Sequence, residues 1–333
     1  MPQQAGQQVF DLVVVGGGPG GYPAAIRASQ LGLKTALVEK ERPGGVCLNW
    51  GCIPTKAMLR SAEVLETMRH SAEYGVLAEK VRLDYSAVLK RKDRVVKTLT
   101  DGVASLLEAN GVTVVNGHAR LVGATAVEVV GVGDAPLGAG GPLYNAPPAG
   151  DGRPQARLEG RNLILATGST PVLLPIPGIH LPGVVTSDGA FLLAEVPRRI
   201  VVIGASAVGA EWATMFHAFG SEVTMVELMP TLVPAEDEDI GKALARSFTR
   251  RGIKVHTGRT VSEITPAGAG RKSGAPLRVT VADPDGSNPR QVEADVVLVG
   301  VGRRPNTAGL DLQRAGVTTD QRGWVQVDDQ LRT

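Results

Sequence analysis

Cys47 and Cys52 are the only cysteines in the 333 residues. Two thiols this close in sequence could pack as small hydrophobes, help bind a metal, or exchange electrons as a dithiol–disulfide pair. The nearest histidine in sequence, His70, stands outside metal-motif spacing, and a secreted disulfide scaffold would carry more cysteines in a shorter chain. Gly44-Gly45 precede Cys47, Gly51 precedes Cys52, and Pro54 follows. That order lets the backbone bend sharply and then start a helix near Pro54, because proline is tolerated in a first turn. Cys52 then stands at a helix N-terminus, where the dipole favours a thiolate. A disulfide across so short a loop restrains little of the unfolded chain, so redox exchange is a better reason for the pair than stability. Two inert, buried thiols are the alternative reading.

A second kind of chemistry is written twice. Phe10 to Val15, FDLVVV, reads as a short buried strand that leads into Gly16-Gly17-Gly18-Pro19-Gly20-Gly21 and then a helical stretch from Ala24 to Leu31. Gly16, Gly18 and Gly21 fill a G-x-G-x-x-G pattern, which lets a pyrophosphate approach the backbone and meet the unpaired N–H groups of a helix N-terminus. Lys34 to Val38 reads as the next strand, and Glu39 at its end is placed to accept from ribose hydroxyls. The second copy runs from Arg199 to Ile203, through Gly204-Ala205-Ser206-Ala207-Val208-Gly209, a helix to Phe219, and a strand ending in Glu227. Gly16 and Gly204, Gly21 and Gly209, Gly32 and Gly220, and Glu39 and Glu227 all share one offset of 188 residues. One glycine motif is weak evidence; two after strands, each with its acid in place, predict two dinucleotide sites. Ser206 replaces the middle glycine of the second copy. Glu227 favours a free ribose 2′-hydroxyl, hence NAD, because a 2′-phosphate would meet a carboxylate.

These motifs need an α/β scaffold of two Rossmann-like, three-layer domains in tandem. Each half closes on an apolar strand that breaks at glycine: Leu163-Ile164-Leu165-Ala166-Thr167-Gly168, and Val296-Val297-Leu298-Val299-Gly300-Val301-Gly302. The expected division is 1–190 for the first domain with the cysteine pair, 191–315 for the second, and 316–333 as the start of a return to the first. Residues 131–160, rich in Gly and Pro, read as a surface loop, as does Thr265 to Pro276; Asp283-Pro284-Asp285-Gly286 reads as a hairpin turn. Lys90-Arg91-Lys92 with Arg94 and Lys97 reads as the solvated face of a helix from Tyr85 to Asn110. With 43% hydrophobic and 20% charged residues the chain is not disordered, and a net charge of +2 gives no field for nucleic acid or anionic lipid. No apolar run approaches the roughly 18 residues of a membrane span. The polar N-terminus lacks the features of a signal peptide, which predicts a cytoplasmic protein.

Two Rossmann units with this cysteine pair after the first resemble the flavoprotein disulfide reductases, class I of the pyridine nucleotide-disulfide oxidoreductases. The string Gly44-Gly45-Val46-Cys47-Leu48-Asn49-Trp50-Gly51-Cys52-Ile53-Pro54-Thr55-Lys56 is similar to the redox-active segment of the dihydrolipoamide dehydrogenases. Glutathione reductases carry a related segment but use NADP, from which Glu227 points away. The resemblance implies FAD on the first unit, held by Gly16, Gly18, Gly21 and Glu39, with Lys56, Gly117, Thr167 and Gly168 nearby. It implies NAD on the second, held by Gly204, Gly209, Glu227, Val261 and Gly302. It makes Cys47 the interchange thiol, Cys52 the thiol facing the flavin, and Lys56 with Glu211 an ion pair beside it. The implied reaction is dihydrolipoamide plus NAD to lipoamide plus NADH. The implied partner is the dihydrolipoyl group of a 2-oxo-acid dehydrogenase or glycine cleavage complex.

The resemblance also implies a region after Trp324 to Thr333 with a second FAD motif, and a homodimer interface domain carrying a His–Glu acid–base pair. Neither is present in the 333 residues, and none of His70, His118, His180, His217 and His256 stands in the family's His-Pro-Thr context. General acid–base groups contribute about 100- to 10,000-fold. Weak lipoamide turnover by this chain alone is therefore expected. The alternatives are a shortened NADH-dependent flavin diaphorase and an inactive fragment.

Overall fold

A computed structural model of the chain describes residues 8–131, 154–268 and 276–333. They form two compact units: Met1–Ile53, Arg94–Thr170 and Arg304–Thr333 in the first, Pro54–Asp93 and Pro171–Arg303 in the second.

The first unit is built on β1 (Gln8–Val15), α1 (Gly21–Gln30) and β2 (Thr35–Glu39). α2 (Gly45–Asn49) and the first residues of α3 (Cys52–Arg69) follow. The chain returns to this unit in the later part of α4 (Tyr85–Ala109). Four strands follow: β3 (Thr113–Asn116), β4 (His118–Leu121), β5 (Ala126–Val130) and β6 (Pro154–Leu165). They make one six-stranded sheet in the order β3-β2-β1-β6-β5-β4. β1 runs parallel to both β2 and β6. Leu12 and Val14 pack on Ala25, Ala28, Val103 and Leu107 of the helices, while Val13 and Val15 pack on Leu121, Val127 and Val129. Burial on both faces is why β1 ends in an unbroken apolar run, Leu12 to Val15, instead of an alternating one.

In the second unit β9 (Arg199–Ile203), α5 (Ala207–Phe219) and β10 (Glu222–Glu227) repeat the pattern. α6 (Glu238–Arg251) and β11 (Lys254–Thr257) follow, and β8 (Val184–Thr186) and β15 (Val296–Val299) complete a parallel sheet ordered β11-β10-β9-β15-β8. An antiparallel meander of β12 (Thr260–Pro266), β13 (Leu277–Ala282) and β14 (Arg290–Ala294) forms a second sheet. Ile200 and Val202 face the helices with Trp212 and Phe216, and Val201 and Ile203 face the meander with Val261, Val279 and Val281. The α/β, Rossmann-type architecture expected from the sequence is the one the chain adopts. Short strands β7 (Ser169–Pro171) and β16 (Arg303–Pro305) stand where the chain passes from one unit to the other.

Three expectations are corrected. The units do not part at 190/191 and 315/316. Met58, Ala62 and Leu65 of α3 and Tyr85 of α4 pack into the second unit's helical core, and β8 pairs with β15, so 54–93 and 171–190 belong there. Leu310 and Leu312 pack into the first unit's core. Secondly, the segment 131–160 is not loop to its end. Residues 132–153 lie outside the described residues, but Pro154 onward is β6, paired on both edges. Gly160 fits there because a Cβ would lie 2.7 Å from Asn162 O and 3.1 Å from Val13 Cγ2. Of the loop placed at 265–276, residues 269–275 lie outside the described residues and Thr265 and Pro266 continue β12. Thirdly, the basic run is not all solvated. Arg91 donates to Ala57 O at 2.6 Å, and Lys92 is buried with its Nζ 5.7 Å from the Phe191 ring centroid. Its ammonium also pairs with Asp93 at 2.8 Å, which keeps a buried charge compensated.

Candidate functional site

The first glycine loop leaves β1 at Gly16, whose φ is +103°, a region closed to most side chains. A Cβ on Gly16 would overlap Ala166 O, and one on Gly21 would overlap Gly16 O. The loop is therefore wound so tightly that its helix starts against its own first residue. Gly18 is less crowded: its Cβ would meet only Gly45 Cα, at 3.7 Å. Packing within the chain does not demand glycine at 18, which fits a position kept bare for a phosphate. Glu39, at the end of β2, is 7% exposed. Its Oε2 accepts the Gly17 N–H at 2.6 Å and its Oε1 the Glu41 N–H at 2.8 Å. A carboxylate has about four acceptor sites, so two remain for ribose hydroxyls.

The second loop repeats these contacts atom for atom. Gly204 has φ +92°, and its Cβ would lie 2.6 Å from Gly300 O. A Cβ on Gly209 would overlap Gly204 O. Glu227, also 7% exposed, accepts the Ala205 N–H at 2.6 Å and the Met229 N–H at 2.8 Å. Gly16 N–H donates to Val38 O and Gly204 N–H to Val226 O, both at 2.8 Å. Ser206 turns its Oγ toward Gly300 O, at 3.3 Å. Each loop has an open helix N-terminus, a glycine cradle and a buried acid, so the residues present fit one dinucleotide apiece.

Burial pushes the Glu39 carboxyl above its ordinary range, against the opposing pull of the N–H groups of Glu41 and Gly17. A carboxyl raised in the folded state binds its proton more tightly there than in the unfolded chain. Its contribution to stability is thus complete below the unfolded value and is lost as pH rises through the folded one. The difference in Tm between wild type and E39Q should accordingly move against the wild type as pH rises above about 4. Thermal melts of both proteins across pH check this; a pH-independent difference contradicts it.

Of the other residues assigned to the first site, Gly117, Thr167 and Gly168 gather at the same end of the sheet's strands, whereas Lys56 belongs to the second unit. Gly117 follows β3 with φ +153°, donates its N–H to Glu39 O at 2.8 Å, and has no room for a side chain, since a Cβ would lie 2.6 Å from Val130 O. Thr167 and Gly168 follow β6, and Asn306 secures both: its Nδ2 donates to Thr167 O and its N–H to Gly168 O, each at 3.0 Å. Sequence reading missed Asn306; the only hint was a polar residue directly after Pro305. In the second unit Gly302, at φ +132°, accepts the Val172 N–H at 3.0 Å. Val261 is a core residue, 2% exposed, so only its main chain could meet a nucleotide. Arg259, in the short loop between β11 and β12, spends its guanidinium on Asp283.

The cysteine segment is tied to the first glycine loop. Gly44, left-handed at φ +100°, donates its N–H to Gly17 O at 2.8 Å and starts α2. Cys47 is half-buried on α2, packed against the core that holds Leu12 and Val14. Asn49 Nδ2 donates to Gly45 O at 3.0 Å and Pro43 O at 3.3 Å, and Trp50 Nε1 donates to Glu41 Oε2 at 3.3 Å. A Cβ on Gly51 would lie 3.5 Å from Cys47 Cα, so the chain doubles back over Cys47 before Cys52 opens α3. Cys52 is exposed. Lys56 and Glu211 form an ion pair within the second unit, joining α3 to α5, with side chains 61% and 30% exposed. At that exposure the pair contributes less than about 1 kcal/mol to stability. No group of three His, Cys, Asp or Glu suited to a metal is found among the described residues. Nor is any helix among them long and apolar enough to cross a membrane.

Residues 10–333 match the family model described as "Pyridine nucleotide-disulphide oxidoreductase". The chain is 38% identical over 328 residues to a dihydrolipoyl dehydrogenase of Chlamydia muridarum, covering 98% of this chain and 63% of that protein. It is 41% identical over 326 residues to one of Chlorobaculum tepidum, covering 97% and 63%. Among solved structures, the Cu(II) complex of the HOCl-induced flavoprotein disulfide reductase RclA from Escherichia coli is similar, with a TM-score of 0.77 at 27% identity. That match covers 98% of this chain and 64% of the other. The chain thus spans a little under two thirds of each of these proteins.

Proposed function

Because the chain belongs to the pyridine nucleotide-disulphide oxidoreductase family, whose cofactors are FAD and NAD(H), we propose that it carries out the redox half of dihydrolipoamide oxidation. The observation that carries this reading is the attachment of the Cys47–Cys52 segment to the first glycine loop through Gly44 and Gly17. The segment that carries the dithiol–disulfide pair is thus hydrogen-bonded directly to a dinucleotide cradle, with Cys47 three residues past Gly44.

In its oxidised form the pair is a Cys47–Cys52 disulfide. A thiolate of the dihydrolipoyl group attacks Cys47 Sγ, and the Cys47–Cys52 bond breaks with Cys52 leaving as a thiolate. The second substrate thiol, losing its proton, attacks the substrate sulfur bonded to Cys47, and Cys47 leaves in turn. Lipoyl disulfide is released, and two electrons stay on the cysteines. FAD, when bound, supplies the route for those two electrons to NAD. Gly16, Gly18, Gly21 and Glu39 would hold it, and Gly204, Gly209 and Glu227 would hold the nicotinamide nucleotide. The half-buried setting of Cys47 limits access to slender thiols, which suits a lipoyl arm of a 2-oxo-acid dehydrogenase or glycine cleavage complex.

The choice of NAD rests on Glu227 and Arg259. A 2′-phosphate would sit against a buried carboxylate, and the nearby guanidinium is already paired with Asp283. NADH should bind at least about 10-fold more tightly than NADPH. Calorimetric titration of the two nucleotides checks this, and equal affinities would contradict it.

A further inference from the structure

Each glycine loop is held from outside as well as from its acid. In the first unit Gly17 gives its N–H to Glu39, and its carbonyl accepts the N–H of Gly44 at 2.8 Å. In the second unit Ala205 gives its N–H to Glu227, and its carbonyl accepts the N–H of Val233 at 2.8 Å. The donor is left-handed in both: Gly44 at φ +100°, Val233 at φ +43°. Glycine takes that conformation freely. A β-branched valine does so only at a steric cost, and residues held this way cluster where a site needs them.

Val233 is held there by its neighbours. Leu232 is fully buried in the helical core, and Gly241 of α6 lies so close that a Cβ would overlap Leu232 O. Glu236 N–H donates to Val233 O at 2.9 Å. Residues 228–237 therefore form a strap from the end of β10 to α6, fixed at both ends, with the Val233 N–H aimed at Ala205. In a trans peptide the C=O and the following N–H point in opposite directions. Fixing Ala205 O thus fixes the Ser206 N–H, which stands where the first loop has Gly18.

We infer that Val233 is a positioning residue of the nicotinamide-nucleotide site: its strained backbone donates to Ala205 O and so aims the Ser206 N–H at the nucleotide's pyrophosphate. The inference rests on the reading of the second loop as that site. The side chain contributes nothing to this role; the N–H does. Glycine at 233 keeps the N–H and removes the strain, an ester-for-amide replacement at 233 removes the N–H alone, and proline removes the N–H while also forcing φ away from +43°.

The test measures NADH affinity by calorimetry, hydrogen exchange of residues 204–209 by mass spectrometry, and retained flavin, in the full chain. V233G should keep the wild-type Kd within about twofold and melt a few degrees higher. V233P should weaken NADH roughly 10-fold or more and speed exchange at 204–209, with flavin content unchanged. An ester-for-amide replacement at 233 removes the same N–H without fixing φ, carries the same expectations, and decides the outcome where the two variants differ or V233P does not fold. The inference is overturned if loss of the N–H leaves both NADH affinity and exchange at 204–209 unchanged, or if V233G weakens NADH as much as V233P. A wild-type chain that binds no NADH would refute the reading of the site instead; the exchange at 204–209 then still decides whether the strap holds the loop.

Discussion

C47S and C52S are each expected to lower NAD-linked oxidation of dihydrolipoamide by roughly 1,000-fold or more. Both should leave NADH-driven reduction of ferricyanide within a few-fold of the wild type. The reason is the division of labour in the proposed reaction. The lipoyl step needs both sulfurs, one to take the substrate and one to leave. Electron flow from NADH to a one-electron acceptor needs only the two nucleotide cradles. Steady-state assays of the three proteins with both acceptors check this. Neither substitution should melt the fold. Cys52 is exposed, and serine for half-buried Cys47 changes little volume. Wild-type-level lipoamide turnover by C47S would refute the assigned role. A wild type with ferricyanide activity, and no lipoamide activity to lose, would favour the diaphorase reading.

The second large effect concerns the third glycine of each loop. In G21A the new methyl overlaps Gly16 O, and in G209A it overlaps Gly204 O. Neither oxygen belongs to a flexible side chain that can swing aside. The helix must shift off the loop, which costs about 1–3 kcal/mol and moves the N–H groups that meet the phosphates. G21A should lose flavin during purification while still binding NADH. G209A should keep flavin and bind NADH roughly 100-fold more weakly. Absorbance spectra and NADH titrations of both variants check the pair. If each variant impaired both nucleotides equally, the assignment of one cofactor to each loop would fail.

Much of this architecture is legible in the sequence because its strongest requirements are local. Gly16, Gly21, Gly204 and Gly209 are glycines because adjacent backbone leaves no room for a Cβ, and Glu39 and Glu227 follow at a fixed distance because a strand must intervene. The division into units was less legible, because it depends on where faces pack. The apolar residues of α3 could serve either core, and only the fold shows Met58, Ala62 and Leu65 beside Trp212. β6 was hidden for another reason. Its Pro154 and Gly160 read as loop residues, yet proline begins the strand and glycine allows close packing on Val13. Lys92 reads as solvated because a charge run shows no sign of the ring, here Phe191, that its ammonium lies over. Gly44, Asn306 and Val233 donate to the carbonyls of residues distant in sequence, through main-chain N–H groups and the Asn306 side-chain amide, which no local pattern announces.

In the proposed reaction Cys47 and Cys52 exchange two electrons with a pyridine nucleotide inside this chain. Differential alkylation tests it directly. The oxidised, flavin-loaded chain is treated anaerobically with NADH, quenched with an alkylating reagent, and mapped by mass spectrometry. Both Cys47 and Cys52 should be labelled after NADH and neither without it, with G209A labelled far more slowly. Labelling that is the same with and without NADH would contradict the account.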